Sequence, residues 1–339
     1  MADEGPNVFR SVEGLPVAAF LTELRTHTFV ELNDAAAAVF GSPTEELLGA
    51  DVLDHIEPSD RERVRTAYAA LADKVVDGYQ VLRRVVTPDG RVVAVNVWGR
   101  RVEVADKLYG LWILSPAQGS TTDIEALVLG SPPVVLAMTD HDWQIEYMSA
   151  DADLLGAKGA EFRGFPLLGL VHPSAVSDFL VAASQASNDQ LAVTVLTRLR
   201  SGPGQWSNRH CLIVPICQHS PPRLGVVISM SPSVSVGAGS KDGFDKQVRS
   251  CAVEARGARA LSVLPALTRL PAGAELSARQ SEIVARLVSG ERVPDFARSM
   301  SLSAATVRNH LSAIYRKVGV HSQTELLAAL LRSVAPQDE

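Results

Sequence analysis

At 339 residues the chain is long enough for two or three domains, and with 46% hydrophobic and 21% charged residues each can bury a core. No run of about 18 apolar residues occurs, so no membrane span is expected, and the acidic opening MADEGPNVF lacks the apolar stretch of a secretory signal. The net charge of −6 is unevenly shared: residues 1–240 hold 18 Lys and Arg against 28 Asp and Glu, whereas residues 241–334 hold 14 against 8. The three cysteines, Cys211, Cys217 and Cys251, form no CxxC pair and fit a reduced, cytoplasmic protein; the first two are spaced to share a strand face.

In chain order, Pro16–Leu24 and Thr28–Asn33 are expected as strands, and Asp34–Phe40, Thr44–Leu48 and Ser59–Ala72 as helices. Tyr79–Thr87 is a strand turned back by Pro88-Asp89-Gly90. Arg91–Glu103 alternates Val93, Val95 and Val97 against Ala94, Asn96 and Trp98, the pattern of a half-buried strand, and Leu108–Pro116 closes the sheet.

The pattern then repeats. Val17-Ala-Ala-Phe-Leu follows Pro16, and Val134-Val-Leu-Ala-Met follows Pro133; His55 and His172 keep the same spacing, and Leu111–Pro116 is echoed by Val226–Pro232. Strands are expected at Val134–Asp140, Gln144–Ser149, Leu191–Arg200, Trp206–Gln218 and Leu224–Met230, with Gly202-Pro203-Gly204 as a turn. This order resembles the PAS domain. The marks in the first copy are Asn33-Asp34-Ala35-Ala36, Leu48-Gly49, His55-Ile-Glu-Pro58-Ser-Asp60-Arg61 and Pro88-Asp89-Gly90. Those in the second are Tyr147-Met148-Ser149-Ala150 and Val171-His172-Pro173. The resemblance implies a five-stranded antiparallel sheet with helices on one side, often a ligand sensor. In such domains a His ahead of Pro is commonly a loop and capping residue, and haem ligands usually come from a later helix. The flavin signature Asn-Cys-Arg is absent. Trp98, Trp112, Trp143 and Trp206 are expected to pack. A small apolar ligand, or none with the domains serving as dimerisation surfaces, both stay open, so the cofactor is unknown.

Residues 231–243, rich in Ser and Gly, are expected as a flexible linker. Phe244–Leu264 is mildly helical, with Val248, Cys251, Ala255, Ala258 and Ser262 near one face; Gly257 weakens it and Pro265 ends it. That face could pair with its copy in a dimer or rest on the second domain.

Four short helices are expected over residues 276–331. Ser277 with Gln280, and Ser322 with Glu325, are capping boxes; Gly290 and Gly319 are stop glycines, Pro294 fits a first helical turn, and Ser303 is an N-cap. The third helix buries Val307, Leu311, Ile314 and Val318 and turns Arg308, Asn309, Ser312 and Arg316 elsewhere. Arg can pair with guanine, Asn with adenine and Ser with either, while Thr306, Arg316 and Lys317 suit phosphate, as does Ser303. The segment resembles the LuxR-type (NarL-type) helix-turn-helix. The match runs through Leu276-Ser277, Arg279, Glu282, Gly290, Phe296-Ala297, Met300, Leu302-Ser303, Thr306–Leu311, Ile314, Lys317, Gly319-Val320 and Thr324-Glu325. The resemblance implies that Arg308, Asn309 and Ser312 face bases, and that a last helix at about Gln323–Leu331 supports dimerisation. Arg292-Val293-Pro294 departs from the usual polar run, so no phosphate contact is carried over there.

The resulting expectation is an α+β, multidomain chain. Residues 1–118 and 119–232 are two PAS-like domains, 233–271 a linker with a helix, and 272–339 an all-α, four-helix LuxR-type domain. Its expected function is that of a cytoplasmic, dimeric, sequence-specific regulator on double-stranded DNA, with RNA polymerase as a candidate partner and no membrane contact. The alternative is a sensor or scaffold acting through protein partners with a weak or non-DNA-binding helix-turn-helix. No phosphate-binding glycine loop, metal-ligand cluster or nucleophile setting points to an enzyme, and no receiver-type phosphoacceptor pattern is present.

Overall fold

The computed structural model describes residues 12–13, 15, 17–104, 107–116, 134–156, 159–202, 204–216, 223–230, 248–255, 257–258, 261, 276–288, 293–300, 302–323, 325–326 and 329–330. The first half contributes β1 (Ala18–Glu23), β2 (Phe29–Leu32), α1 (Asp34–Phe40), α2 (Thr44–Leu47), α3 (Arg61–Ala72), β3 (Gly78–Val86), β4 (Val92–Val104) and β5 (Lys107–Pro116). The second contributes β6 (Val134–Thr139), β7 (Ile145–Met148), α4 (Val176–Asp189), β8 (Ala192–Gly202), β9 (Gln205–Ile216) and β10 (Arg223–Ser229). Among the described residues no helix is long and apolar enough to cross a membrane.

Among the described residues ten strands form one sheet in the order β2-β1-β5-β4-β3-β8-β9-β10-β6-β7. Read outward from the centre, the two halves have the same strand order. The repeat extends to fine detail. The β1–β2 pairing shifts register between Leu21 and Thr22, and the β6–β7 pairing between Met138 and Thr139, the equivalent positions. Ala19 N donates to Asn33 Oδ1 (3.1 Å) in one half, and Leu136 N to Ser149 Oγ (3.0 Å) in the other. The two halves thus interrupt these edge ladders at the same place, where a strand bends and twists more strongly.

The halves meet edge to edge. Gly78, Tyr79 and Gln80 of β3 pair antiparallel with Thr194, Val193 and Ala192 of β8. Asp77 extends the seam, its N–H donating to Thr194 O (2.8 Å) and its Oδ2 accepting from Leu196 N (2.6 Å). Each half thus covers an edge strand that would otherwise present unpaired backbone groups.

One face of the sheet is covered by α1–α4. In the first half its core is aromatic: the Trp112 ring stacks on Tyr68 at 4.7 Å and lies 6.2 Å from Phe20, and Phe20, Phe29 and Phe40 meet at 5.1–5.4 Å. Thr22 Oγ1 accepts from Trp112 Nε1 at 2.7 Å, satisfying the one polar group such a buried indole carries. His55 sits edge-on to Phe29 and Phe40, and burial lowers its pKa. His172 Nδ1 accepts from Ser174 N (3.2 Å), capping the 3-10 turn Pro173–Ala175 that precedes α4.

The opposite face is covered by the connector helix, helical at residues 248–255 and 257–258. Val248, Cys251, Ala255 and Ala258 are buried as their spacing predicts; Ser262, Pro265 and the 231–243 segment lie outside the described residues. The face that could have paired with a second copy is packed on the sheet, and it spans both halves. Gly257 proves to be a packing residue: a Cβ there would lie 2.4 Å from Val227 Cγ1, so glycine lets the helix lie flat on β10. At the seam Glu254 accepts from Arg100 Nη2 of β4 (2.5 and 2.6 Å) and from Thr194 Oγ1 of β8 (3.1 Å). Arg100 and Glu254 are 2% and 4% exposed, so this helix holds both halves through a buried ion pair. Cys211 and Cys251 are buried free thiols, and burial pushes Cys251 up to about 11; Cys217 lies outside the described residues.

Candidate nucleic-acid interface

Among the described residues, three helices with full bounds follow: α5 (Ala278–Val288), α6 (Val293–Ser299) and α7 (Ala304–Val318). The capping box that opens α5 is present, with Ser277 N donating to Gln280 Oε1 (3.0 Å) and Gln280 N to Ser277 Oγ (3.3 Å). Arg279 Nη2 donates to Met300 O (2.6 Å), tying α5 to the turn between α6 and α7. Pro294 lies in the first turn of α6, as expected; Gly290 lies outside the described residues. Ser303 caps α7, its Oγ accepting from Thr306 N at 3.0 Å, and Gly319 ends it at φ 75°. At the second capping box Glu325 N donates to Ser322 Oγ (3.1 Å), but Glu325 Oε2 accepts from His321 N, one residue before the expected donor. The backbone is helical at 323, 325–326 and 329–330, within the span expected for a fourth helix.

On α7, Val307, Leu311 and Ile314 are buried, while Val318 is only half-buried. Arg308, Asn309, Ser312, Arg316 and Lys317 are exposed, with Arg308, Ser312 and Arg316 one turn apart along a single stripe. Ser312 Oγ donates to Arg308 O (3.1 Å), fixing its hydroxyl on the helix surface. The expected phosphate group is less uniform. Thr306 is half-buried, and its Oγ1 lies 2.8 Å from Ser303 Oγ. Lys317 Nζ donates to Gln280 Oε1 (2.9 Å), so its ammonium also braces α7 against the start of α5. Arg316 and Lys317 lie in the last turn of α7, where cations complement the helix dipole.

Some contacts carry no sequence signal. Arg286 Nη2 of α5 meets Asp151 Oδ2 at 2.5 Å, joining this domain to the 3-10 turn after β7. The two residues are 135 positions apart, and neither belongs to a recognisable motif.

Residues 274–330 match the family model described as "Bacterial regulatory proteins, luxR family", and residues 7–113 match the model "PAS fold". The chain is 48% identical over 52 residues to the probable HTH-type transcriptional regulator GfsR of Streptomyces halstedii, covering 15% of this chain and 21% of that protein. It is 37% identical over 60 residues to the putative HTH-type transcriptional regulator YhjB of Escherichia coli K12, covering 18% and 29%. It is 31% identical over 62 residues to the probable transcriptional regulatory protein NarL of Mycobacterium tuberculosis, again covering 18% and 29%. The chain therefore spans less than a third of the length of these relatives. Within those bounds, it carries a LuxR-type helix-turn-helix at 274–330 and a PAS domain at 7–113.

Proposed function

We propose that this chain is a cytoplasmic, sequence-specific transcriptional regulator in which two PAS-like halves, acting as one sensing body, control a C-terminal DNA-binding domain. The observation that carries the reading is the exposed Arg308–Asn309–Ser312 face of α7, opposite the packed Val307–Leu311–Ile314 stripe and inside the LuxR-type match. A helix packed on one side and basic-polar on the other can enter a major groove, where Arg reads guanine and Asn adenine. Arg316, Lys317, Thr306 and Ser303 would meet phosphate, positioning the helix without specifying sequence. Two copies of the chain would then read half-sites spaced by about 34–36 Å, one helical turn. The shared strand order and matching bulges support treating the second half as a PAS domain too. We assign no ligand and no turnover; RNA polymerase would be the downstream partner.

The test is selection of duplexes from a random DNA pool by the full chain, followed by salt titration. Enrichment of a paired motif, with affinity falling steeply between low and physiological salt, is expected. No enrichment together with a flat salt response would overturn the reading.

A further inference from the structure

An amphipathic surface helix buries one stripe and leaves its polar face in water. In the DNA-binding domain α7 follows that rule and α5 does not. Glu282, Ile283, Val284, Ala285, Arg286 and Leu287 are consecutive and all buried, which in a helix means burial on every side. The apolar side belongs to a cluster shared with Val307, Leu311 and Ile314, and that cluster runs on into the connector helix and the back face of the sheet. The polar side is covered by the second half. Arg286 is 7% exposed and bonded to Asp151, which is 14% exposed, and Glu282 backs the same guanidinium at 3.5 Å.

We propose that α5 is a docking helix and that Arg286–Asp151 is the latch holding the DNA-binding domain against the sensing body in a resting, low-affinity state. The base-reading face of α7 stays open in this position, so the restraint is one of placement and field rather than occlusion. A sheltered ion pair adds little net adhesion compared with apolar contact of the same size, which suits a dock that must release. The restraint also has a sign. Residues 1–240 carry a formal charge of −10, and residues 276–334, with 8 Lys and Arg against 4 Asp and Glu, a charge of +4. Docking holds the acidic body beside the basic domain, where a polyanion approaching α7 meets repulsion that undocking removes.

This inference rests on the DNA-binding reading, and the experiment separates the two. In the full chain, Asp151→Asn removes the latch charge without touching the DNA-binding domain, and Asp151→Arg with Arg286→Asp restores the pair in reverse. Hydrogen exchange of the α5 amides reports docking, and affinity for random-sequence duplex DNA at low salt reports the consequence. Asp151→Asn should raise α5 exchange about tenfold and tighten DNA binding about five- to tenfold, with the swap moving both back toward the parent. Unchanged α5 exchange overturns the latch. Faster exchange with unchanged or weaker DNA binding overturns its inhibitory role. If neither parent nor variants retain DNA, the DNA-binding reading and the inhibitory role fall together, while exchange still decides whether the dock exists.

Discussion

The connector helix and α7 are both short helices carrying charged side chains, and they use that charge in opposite ways. The connector buries Glu254 against Arg100 at the seam between the halves; α7 leaves Arg308 and Arg316 in water. The Arg100–Glu254 pair is sealed at 2% and 4% exposure, so deleting one partner inside the fold leaves the other charge buried without it. Exposed charge enforces nothing about the fold and is available to a ligand. The two helices should therefore answer mutation in different measurements. Glu254→Ala leaves Arg100 uncompensated and should cost about 3–5 kcal/mol in urea unfolding, whereas the paired Arg100→Met, Glu254→Leu change should recover most of that loss. A cost below about 1 kcal/mol for Glu254→Ala would mean that the clamp is solvated and the contrast with α7 unfounded.

The same cluster gives the contrast a pH dependence. His210 on β9 is pushed down to about 3, chiefly by burial and then by the nearby Arg100 charge. The unfolded chain keeps an ordinary imidazole near pH 6.5 and so binds more protons than the folded one between those values. The stability tied to neutral His210 is thus fully present above about pH 6.5 and is lost as pH falls toward about 3. His210→Gln should flatten the acid limb of the unfolding profile relative to the parent. Superimposable profiles would place the ring in water.

Arg308 tests the other side. Its side chain is exposed, so Arg308→Ala should leave the unfolding midpoint where it was while costing about 1–3 kcal/mol of specific DNA binding and relaxing base preference at one position. A variant that bound its selected duplex as tightly and selectively as the parent would remove that residue from the reading face.

These contrasts were legible to different degrees. Strand positions in both halves agree with the alternation pattern to within one or two residues, and α1 falls where expected, because each rests on local periodicity and a cap. The stripe of α4 is less regular: it buries mostly small residues, Ala182, Ala183 and Ala186, and leaves Leu180 and Val181 in the open. The polar face of α7 was readable because its apolar stripe is regular. The seam, the Glu254 clamp and the Arg286–Asp151 contact were not, since each joins groups 60 to 154 residues apart and no local pattern encodes which edges or charges meet. The packing role of Gly257 was hidden for the same reason: its propensity cost is local, and its packing value depends on Val227, a strand residue far from it in sequence.

The smallest effect separates two roles at one atom. Ser303 Oγ caps α7 by accepting from Thr306 N, and it is also expected at the phosphate boundary. Ser303→Ala should cost about 1 kcal/mol of stability through the lost cap. It would therefore weaken DNA binding even if the hydroxyl never touched DNA, and cannot decide the matter alone. Ser303→Asp can. Aspartate caps a helix as well as serine does, so the unfolding midpoint should stay near the parent's. Its charge, placed at the N-terminus of α7, should repel a phosphate that the hydroxyl would have met. Parent-like stability with weakened, less salt-sensitive DNA binding is the expected pair of results, because the added repulsion is screened as salt rises. Parent-like stability with parent-like binding would keep Ser303 among the residues that build α7 and remove it from those that meet the duplex.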